Sequence, residues 1–281
     1  MMKVAIMTDS TAYLPETLLK QHDIHVVPLS VVFDDTSYRE GIDITTEEFY
    51  QKVKAADKLP KTSQPSIGEI SEKLEELAND YDAVISIHLS SGISGTYQAV
   101  ASAGEMVVGI DVFPYDSEIS CMAQGFYVLE AAEMANDGKN PDEIVKQLDH
   151  IKESIRAYFM VDDLSHLQRG GRLNGAQAIV GSLLQVKPIL HFVDKVIVPF
   201  EKIRTRKKAI NRILGLLEED ARRGKDMKVV FIHANNEQSA VELKNSIDPE
   251  YPNMDSMISY FGPVIGTHLG EGAIGVCWYM K

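Results

Sequence analysis

Ser90, Ser91 and Ser94 fall with Gly92 and Gly95 in one short segment, and Thr96 adds a fourth hydroxyl. Serine hydroxyls donate hydrogen bonds, and glycines let backbone N–H groups approach a ligand closely. The segment follows an apolar, alternating run that ends at Leu89 and reads as a buried strand. It precedes Tyr97-Gln-Ala-Val-Ala-Ser-Ala-Gly-Glu-Met106, which reads as a helix. Unsatisfied N–H groups and the positive end of the dipole make such a helix start a receptor for a carboxylate or phosphate. The plainer alternative is an ordinary loop with Ser94 as the N-cap.

Three other groups carry chemistry. Gly266-Thr-His-Leu-Gly-Glu-Gly-Ala-Ile-Gly275 surrounds His268 with glycines, which suits tight backbone beside a ligand. The alternative is a turn leading into the last strand, with His268 incidentally exposed. Arg169-Gly-Gly-Arg172 sets two guanidinium groups around a flexible pair, an arrangement able to hold a carboxylate or phosphate. Lys202, Arg204, Arg206, Lys207, Lys208 and Arg212 gather at the start of a long helix, where each cation opposes the dipole at a cost of a few tenths of a kcal/mol, roughly. That basic edge either is a solvated helix face or docks transiently on anionic lipid.

A serine hydrolase acting on acyl esters through Ser94 is the rival reading. Gly92-Ile-Ser-Gly95 is GxSG, not the GxSxG of a nucleophile elbow, and sequence cannot set His88, His233 or His268 beside Ser94. No metal is expected: H-E-x-x-H and EF-hand patterns are missing, and Asp162-Asp163 reads as a solvated turn. Neither a Walker loop nor GxGxxG follows the first strand. The formal net charge of −13 argues against a general nucleic-acid binder. Cys121 and Cys277 lie far apart without CxxC spacing, which points to a reducing cytoplasm. Asp9 breaks the N-terminal apolar run too early for a signal peptide, and the uncharged stretch 83–104 has too many serines and glycines to span a membrane.

The elements that must position these residues alternate between strand and helix in the first half. Strands are expected at 4–8, 25–33, 83–89 and 112–115. Helices are expected at 15–21, 46–56, 66–78 (opened by a Ser66–Glu69 capping box), from 97, 117–134 and from Asn140. That order predicts an N-terminal α/β domain, residues 1–155, built on a parallel sheet. The second half is mixed: strands at 156–161, 189–193, 195–200, 227–233, 256–260 and 273–279, with helices at 164–168, 175–185, 205–223 and 238–247. It predicts a C-terminal α+β domain, residues 156–281.

Thr8-Asp-Ser-Thr11, Lys61-Thr-Ser-Gln-Pro-Ser66, Ser91-Gly-Ile-Ser-Gly-Thr96, Leu167-Gln-Arg-Gly-Gly-Arg-Leu173, Thr205-Arg-Lys-Lys208 and Gly266-Thr-His-Leu-Gly270 occur in this order from end to end. Jointly they resemble the DegV family of bacterial fatty-acid-binding proteins, which includes the lipid-carrying B subunits of fatty acid kinase. The resemblance implies two α/β domains with an apolar tunnel between them that holds a long-chain fatty acid such as palmitate or oleate. The ligand site it implies comprises Thr62, Ser94 and Gly95, with His268 close by and Arg172 matching an arginine near the carboxyl end. It further implies a non-catalytic carrier without cofactor, which presents the acid to a separate ATP-using kinase for acyl phosphate formation in lipid transport or phospholipid metabolism. One residue departs from the family's pattern: Glu271 stands where many relatives have proline, and it is expected to put a like charge near the head group.

Overall fold

The computed structural model describes residues 2–173 and 187–281. The helix expected at 175–185 lies outside the described residues. The chain divides into two compact units, Met1–Ile44 with Thr62–Glu153, and Thr45–Lys61 with Ser154–Lys281. Residues 45–61, which a single cut after 155 leaves in the first domain, group with the second unit.

In chain order the first elements are β1 (Val4–Asp9), α1 (Glu16–Gln21), β2 (Ile24–Val27), β3 (Ser30–Phe33), β4 (Thr36–Arg39), α2 (Thr46–Ala55) and β5 (Lys61–Ser63). There follow α3 (Ile67–Leu77), β6 (Ala83–His88), α4 (Thr96–Gly104), β7 (Asp111–Asp116), α5 (Cys121–Asn136) and α6 (Pro141–Ser154). The remainder comprises β8 (Arg156–Met160), α7 (Ser165–Arg169), β9 (Ile189–Val193), β10 (Val196–Glu201), α8 (Arg206–Ala221), β11 (Met227–His233), α9 (Glu237–Ile247), β12 (Met254–Tyr260), α10 (Pro263–Leu269) and β13 (Ile274–Met280).

The first unit is built on a parallel sheet of order β2-β1-β6-β7. Every residue of β6 is buried, as expected of a central strand covered on both faces. Ile70, Leu74 and Leu77 of α3 and Ala99, Val100 and Ala103 of α4 pack with Ala5, Met7 and Val84 on one face. Residues alternate between faces along a strand. Thr8 therefore points the other way from Met7, and there its hydroxyl meets Gln124 of α5 at 3.1 Å. The run 25–33 is two strands, not one. Pro28 carries no N–H for a ladder; β2 pairs with β1, while β3 joins a separate sheet of order β4-β3-β5. The Ser66–Glu69 capping box forms in both directions, at 3.2 and 2.9 Å.

The second unit carries a six-stranded sheet of order β10-β9-β8-β13-β11-β12, antiparallel except for the β11/β12 pair. Asp194 and Lys195 turn the β9–β10 hairpin with φ of 47° and 73°, the left-handed pair that a two-residue turn of this kind needs. Ala209, Ile213, Leu217 and Ala221 recur every four residues on α8 and share a core with Phe231, Val276 and Trp278. The Trp278 indole N–H is satisfied by Asp220 at 2.8 Å.

Residues 263–269 form the helix α10, which takes in the start of the 266–275 segment that one of the two readings made a glycine-rich turn. Pro263 occupies its first turn, where a missing N–H costs nothing, and Gly270 ends it at φ +75°. Gly266 lets α10 sit against α2, since a Cβ there falls 2.7 Å from the Tyr50 hydroxyl. No helix among the described residues is long and apolar enough to cross a membrane.

Candidate functional site

In the first unit the turn that carries Ser94 is anchored from below by Asp9, at the end of β1. Its carboxylate accepts from the Thr11 N–H at 3.0 Å and the Thr11 hydroxyl at 2.5 Å. The other oxygen accepts from the Leu89 N–H at 3.0 Å and from Gln124 at 3.1 Å, and lies 3.0 Å from His88 Nδ1. Burial pushes this carboxyl up, but the hydrogen bonds from His88, Thr11 and Leu89 outweigh burial and hold it below the ordinary carboxylate range. Leu89 is the residue at which strand becomes turn, so the Asp9 contact fixes where the chain leaves the sheet. Further along, Asp116 accepts from the Ser91 N–H at 3.1 Å and its hydroxyl at 2.5 Å, and Ser90 N–H donates to the Ile119 carbonyl at 2.7 Å.

Ser94 is not the N-cap. Gly95 holds that position, and the Ser94 hydroxyl lies 2.9 Å from the Thr96 hydroxyl while accepting the Thr96 N–H at 3.3 Å. Gln64 joins this turn to the Thr62 segment: a Cβ built on Gly95 falls 2.1 Å from Gln64 Oε1. Two motif segments far apart in sequence, residues 62–66 and 91–96, meet through Gln64 and Gly95, and Thr62 is partly buried. Sequence reasoning did not single out Gln64, Asp116 or Gln124. Gln64 lies inside one of the motifs, but only the geometry shows why a glycine must face it.

In the second unit His268 sits on the last turn of α10, and its ring packs on Gly170, where a Cβ falls 2.3 Å from Nδ1. The Arg172 guanidinium donates to the Gly170 carbonyl at 2.6 Å, folding back over the Gly-Gly pair. Burial, then the charges of Arg172 and His166, push the His268 imidazole down to about 4, so it is neutral at neutral pH. His268 and Arg172 are thus brought together. The charge of Glu271 is locally matched: Lys54 lies 2.8 Å away and Asn235 donates at 2.6 Å. Burial raises that carboxyl, but those two partners lower it further, leaving it below its usual range.

The basic cluster is partly committed. Arg206 pairs with Asp162 at 2.9 Å and donates to the Gly272 carbonyl at 2.7 Å, while Arg212 pairs with Glu201 and Glu219 at 2.9 and 3.6 Å. Asp162 is exposed, as a solvated turn implies, and it also holds Lys187 at 3.1 Å. Asp163 caps the Ser165 N–H at 2.8 Å. Lys207 and Lys208 remain exposed.

The hydrolase alternative gains nothing at Ser94 within its own unit. There the serine next to an imidazole is Ser86, 2.5 Å from His88 Nε2, and an Asp9–His88–Ser86 relay results. Both Ser86 and His88 are fully buried and share one face of β6, so no ester reaches that hydroxyl. Burial pushes the Cys121 thiol up to about 12, and Cys277 is likewise buried. Among the described residues no three His, Cys, Asp or Glu side chains cluster so as to hold a metal ion.

Comparison with known proteins returns one family over nearly the whole length of the chain. Residues 3–281 match the family described as "Uncharacterised protein, DegV family". Protein DegV of Bacillus subtilis (strain 168) is 59% identical over 281 residues, covering 100% of both chains. The crystal structure of DegV, described as a fatty acid binding protein from Bacillus subtilis, superposes with a TM-score of 0.96 at 58% identity and covers 100% of both chains. A stearic-acid-binding protein from Eubacterium ventriosum ATCC 27560 gives 0.90 at 27% identity, covering 100% of this chain and 99% of that one. The chain belongs to the DegV family.

Proposed function

We propose that this protein binds one long-chain fatty acid, such as palmitate or oleate, and presents it to a separate ATP-using kinase that makes the acyl phosphate. Full-length likeness to a protein described as fatty acid binding, together with the anchored turn at residues 91–96, carries the reading. The Thr62 and Ser94 hydroxyls and the backbone at Gly95 hold the carboxylate. His268 and Arg172 serve the acid group during its conversion. The chain itself acts as a carrier, in lipid transport or phospholipid metabolism within the cytoplasm, and needs no cofactor.

The energetics fit. Burying the methylenes of a 16-carbon chain at about 0.8 kcal/mol each gives a gross gain on the order of 11 kcal/mol. Lost freedom and imperfect desolvation reduce it. A carboxylate among apolar groups stays ionised only with hydrogen bonds or a counter-charge. Hydroxyls and N–H groups at the start of α4 are of the required kind. Lys207 and Lys208 offer a transient contact with anionic membrane during lipid exchange, since each cation near such a surface contributes about 1 kcal/mol.

Titration calorimetry with palmitate and with hexadecanol, beside an assay with p-nitrophenyl palmitate, tests the reading. Palmitate should bind one per chain and more tightly than the alcohol, without ester turnover. Ester hydrolysis that disappears in Ser94→Ala would replace the carrier by the hydrolase.

A further inference from the structure

The backbone N–H groups of the turn at residues 90–96 are nearly all taken within the first unit. Ser90 donates to the Ile119 carbonyl at 2.7 Å and Ser91 to the Asp116 carboxylate at 3.1 Å. Gly92 donates to the Ser90 hydroxyl at 3.2 Å, Ile93 and Ser94 both donate to the Ser90 carbonyl at 3.1 Å, and Thr96 donates to the Ser94 hydroxyl at 3.3 Å. Gly95 N–H alone in this stretch has no partner among the described residues.

Burial fixes the direction of the Ser94–Thr96 hydroxyl contact. Thr96 opens α4 with its side chain fully buried, and Ser94 Oγ, 2.9 Å away, is the one hydrogen-bond partner of its hydroxyl among the described residues. Were Ser94 the donor, the Thr96 hydrogen would be buried with no acceptor, which native proteins avoid. Thr96 therefore donates, and Ser94 accepts. A hydroxyl oxygen has two acceptor sites. Thr96 fills both of them at Ser94, one with its N–H and the other with its O–H. The hydrogen of Ser94, a residue only partly buried, is then left for a partner outside this pair.

Resting on the fatty-acid reading above, we propose that Thr96 is a positioning residue: by saturating the Ser94 oxygen it makes that hydroxyl a donor only, next in sequence to the open N–H of Gly95. An ionised carboxylate only accepts, so it meets two such donors with no mismatched group. An alcohol brings a hydrogen of its own, which finds no acceptor at Ser94. Thr96 thus sets selectivity for the acid without touching it. Thr62, Ser94, Gly95 and Thr96 all belong to the first unit.

Palmitate and hexadecanol are titrated into wild type, Thr96→Val, Thr96→Ala, Thr96→Ser, Ser94→Ala and the Ser94→Ala, Thr96→Val double variant, with thermal melting of each. Valine keeps the volume of threonine and alanine does not, but both remove the hydroxyl, so both should weaken palmitate roughly five- to tenfold whatever they do to stability. Hexadecanol should bind these variants at least as well as wild type, and Thr96→Ser should retain most of the palmitate affinity. In the Ser94→Ala background Thr96→Val should cause no further loss, since the two residues act through one oxygen. The proposal is overturned, and Thr96 left a packing residue at the helix start, by wild-type palmitate affinity in Thr96→Val or Thr96→Ala, by equal losses for acid and alcohol, by a Thr96→Ser variant as weak as Thr96→Val, or by an undiminished loss in the double variant. A wild type that binds no palmitate would instead defeat the fatty-acid reading itself, and this proposal with it.

Discussion

The carboxamide of Gln64 lies against Gly95 so closely that a methyl group on that glycine would meet Oε1 at 2.1 Å. The contact joins the Thr62 segment to the Ser94 turn. Because the clashing atom ends an exposed, flexible side chain, Gly95→Ala should leave stability within about 0.5 kcal/mol. It should displace Gln64 and lower palmitate affinity roughly tenfold. Adding Gln64→Ala should restore much of that loss. Paired melting and titration curves check this; a stability loss as large as the affinity loss would show that the glycine serves folding.

Thr62→Ala and Ser94→Ala each remove a hydroxyl from the proposed carboxylate site. A hydrogen bond to a charged group contributes roughly 1.5–3 kcal/mol, so each variant should bind a fluorescent fatty acid about ten- to a hundredfold more weakly. Wild-type affinity in both would move the head group elsewhere.

The parts of this molecule legible in its sequence are those set by local rules. The Ser66–Glu69 capping box, the β11 strand and the Asp194 hairpin follow from residue chemistry within a few positions. The helix α10 was not legible, because four glycines between 266 and 275 outweigh any helical signal until Phe49 and Tyr50 are seen to require Gly266. Pro28 was the one local sign of the split in 25–33, and the separate sheet that β3 joins is set by long-range pairing. Among the candidate residues, Ser94 and His268 stood out by type and spacing. Asp9–His88, Asp116–Ser91 and His166–Gly270 are long-range pairings, and a single chain gives no sign of them.

Asp9 gives a pH prediction. Its carboxyl is depressed in the folded protein, so it stabilises the fold fully above the unfolded value, near 3.9, and that contribution disappears as pH falls through the folded value. Asp9→Asn breaks a buried, multiply bonded charge and should cost about 3–5 kcal/mol at neutral pH. The gap to wild type should narrow below about pH 4. Urea melts from pH 3 to pH 8 measure it; a gap that stays constant with pH would remove the carboxylate from the account.

Since Arg206 is committed to Asp162 and the Gly272 carbonyl, a membrane test must leave it intact. Lys207→Glu with Lys208→Glu should abolish salt-sensitive co-sedimentation with anionic vesicles and leave neutral vesicles unbound throughout. Unchanged sedimentation would make the cluster a solvated helix face.

The central claim is that the chain carries a fatty acid. Native mass spectrometry of the purified protein, followed by organic extraction, tests it most directly. One added mass per chain, matching a C16 or C18 fatty acid and released by extraction, is the expected result; a chain that emerges without lipid and acquires none after incubation with palmitate or oleate would contradict the account.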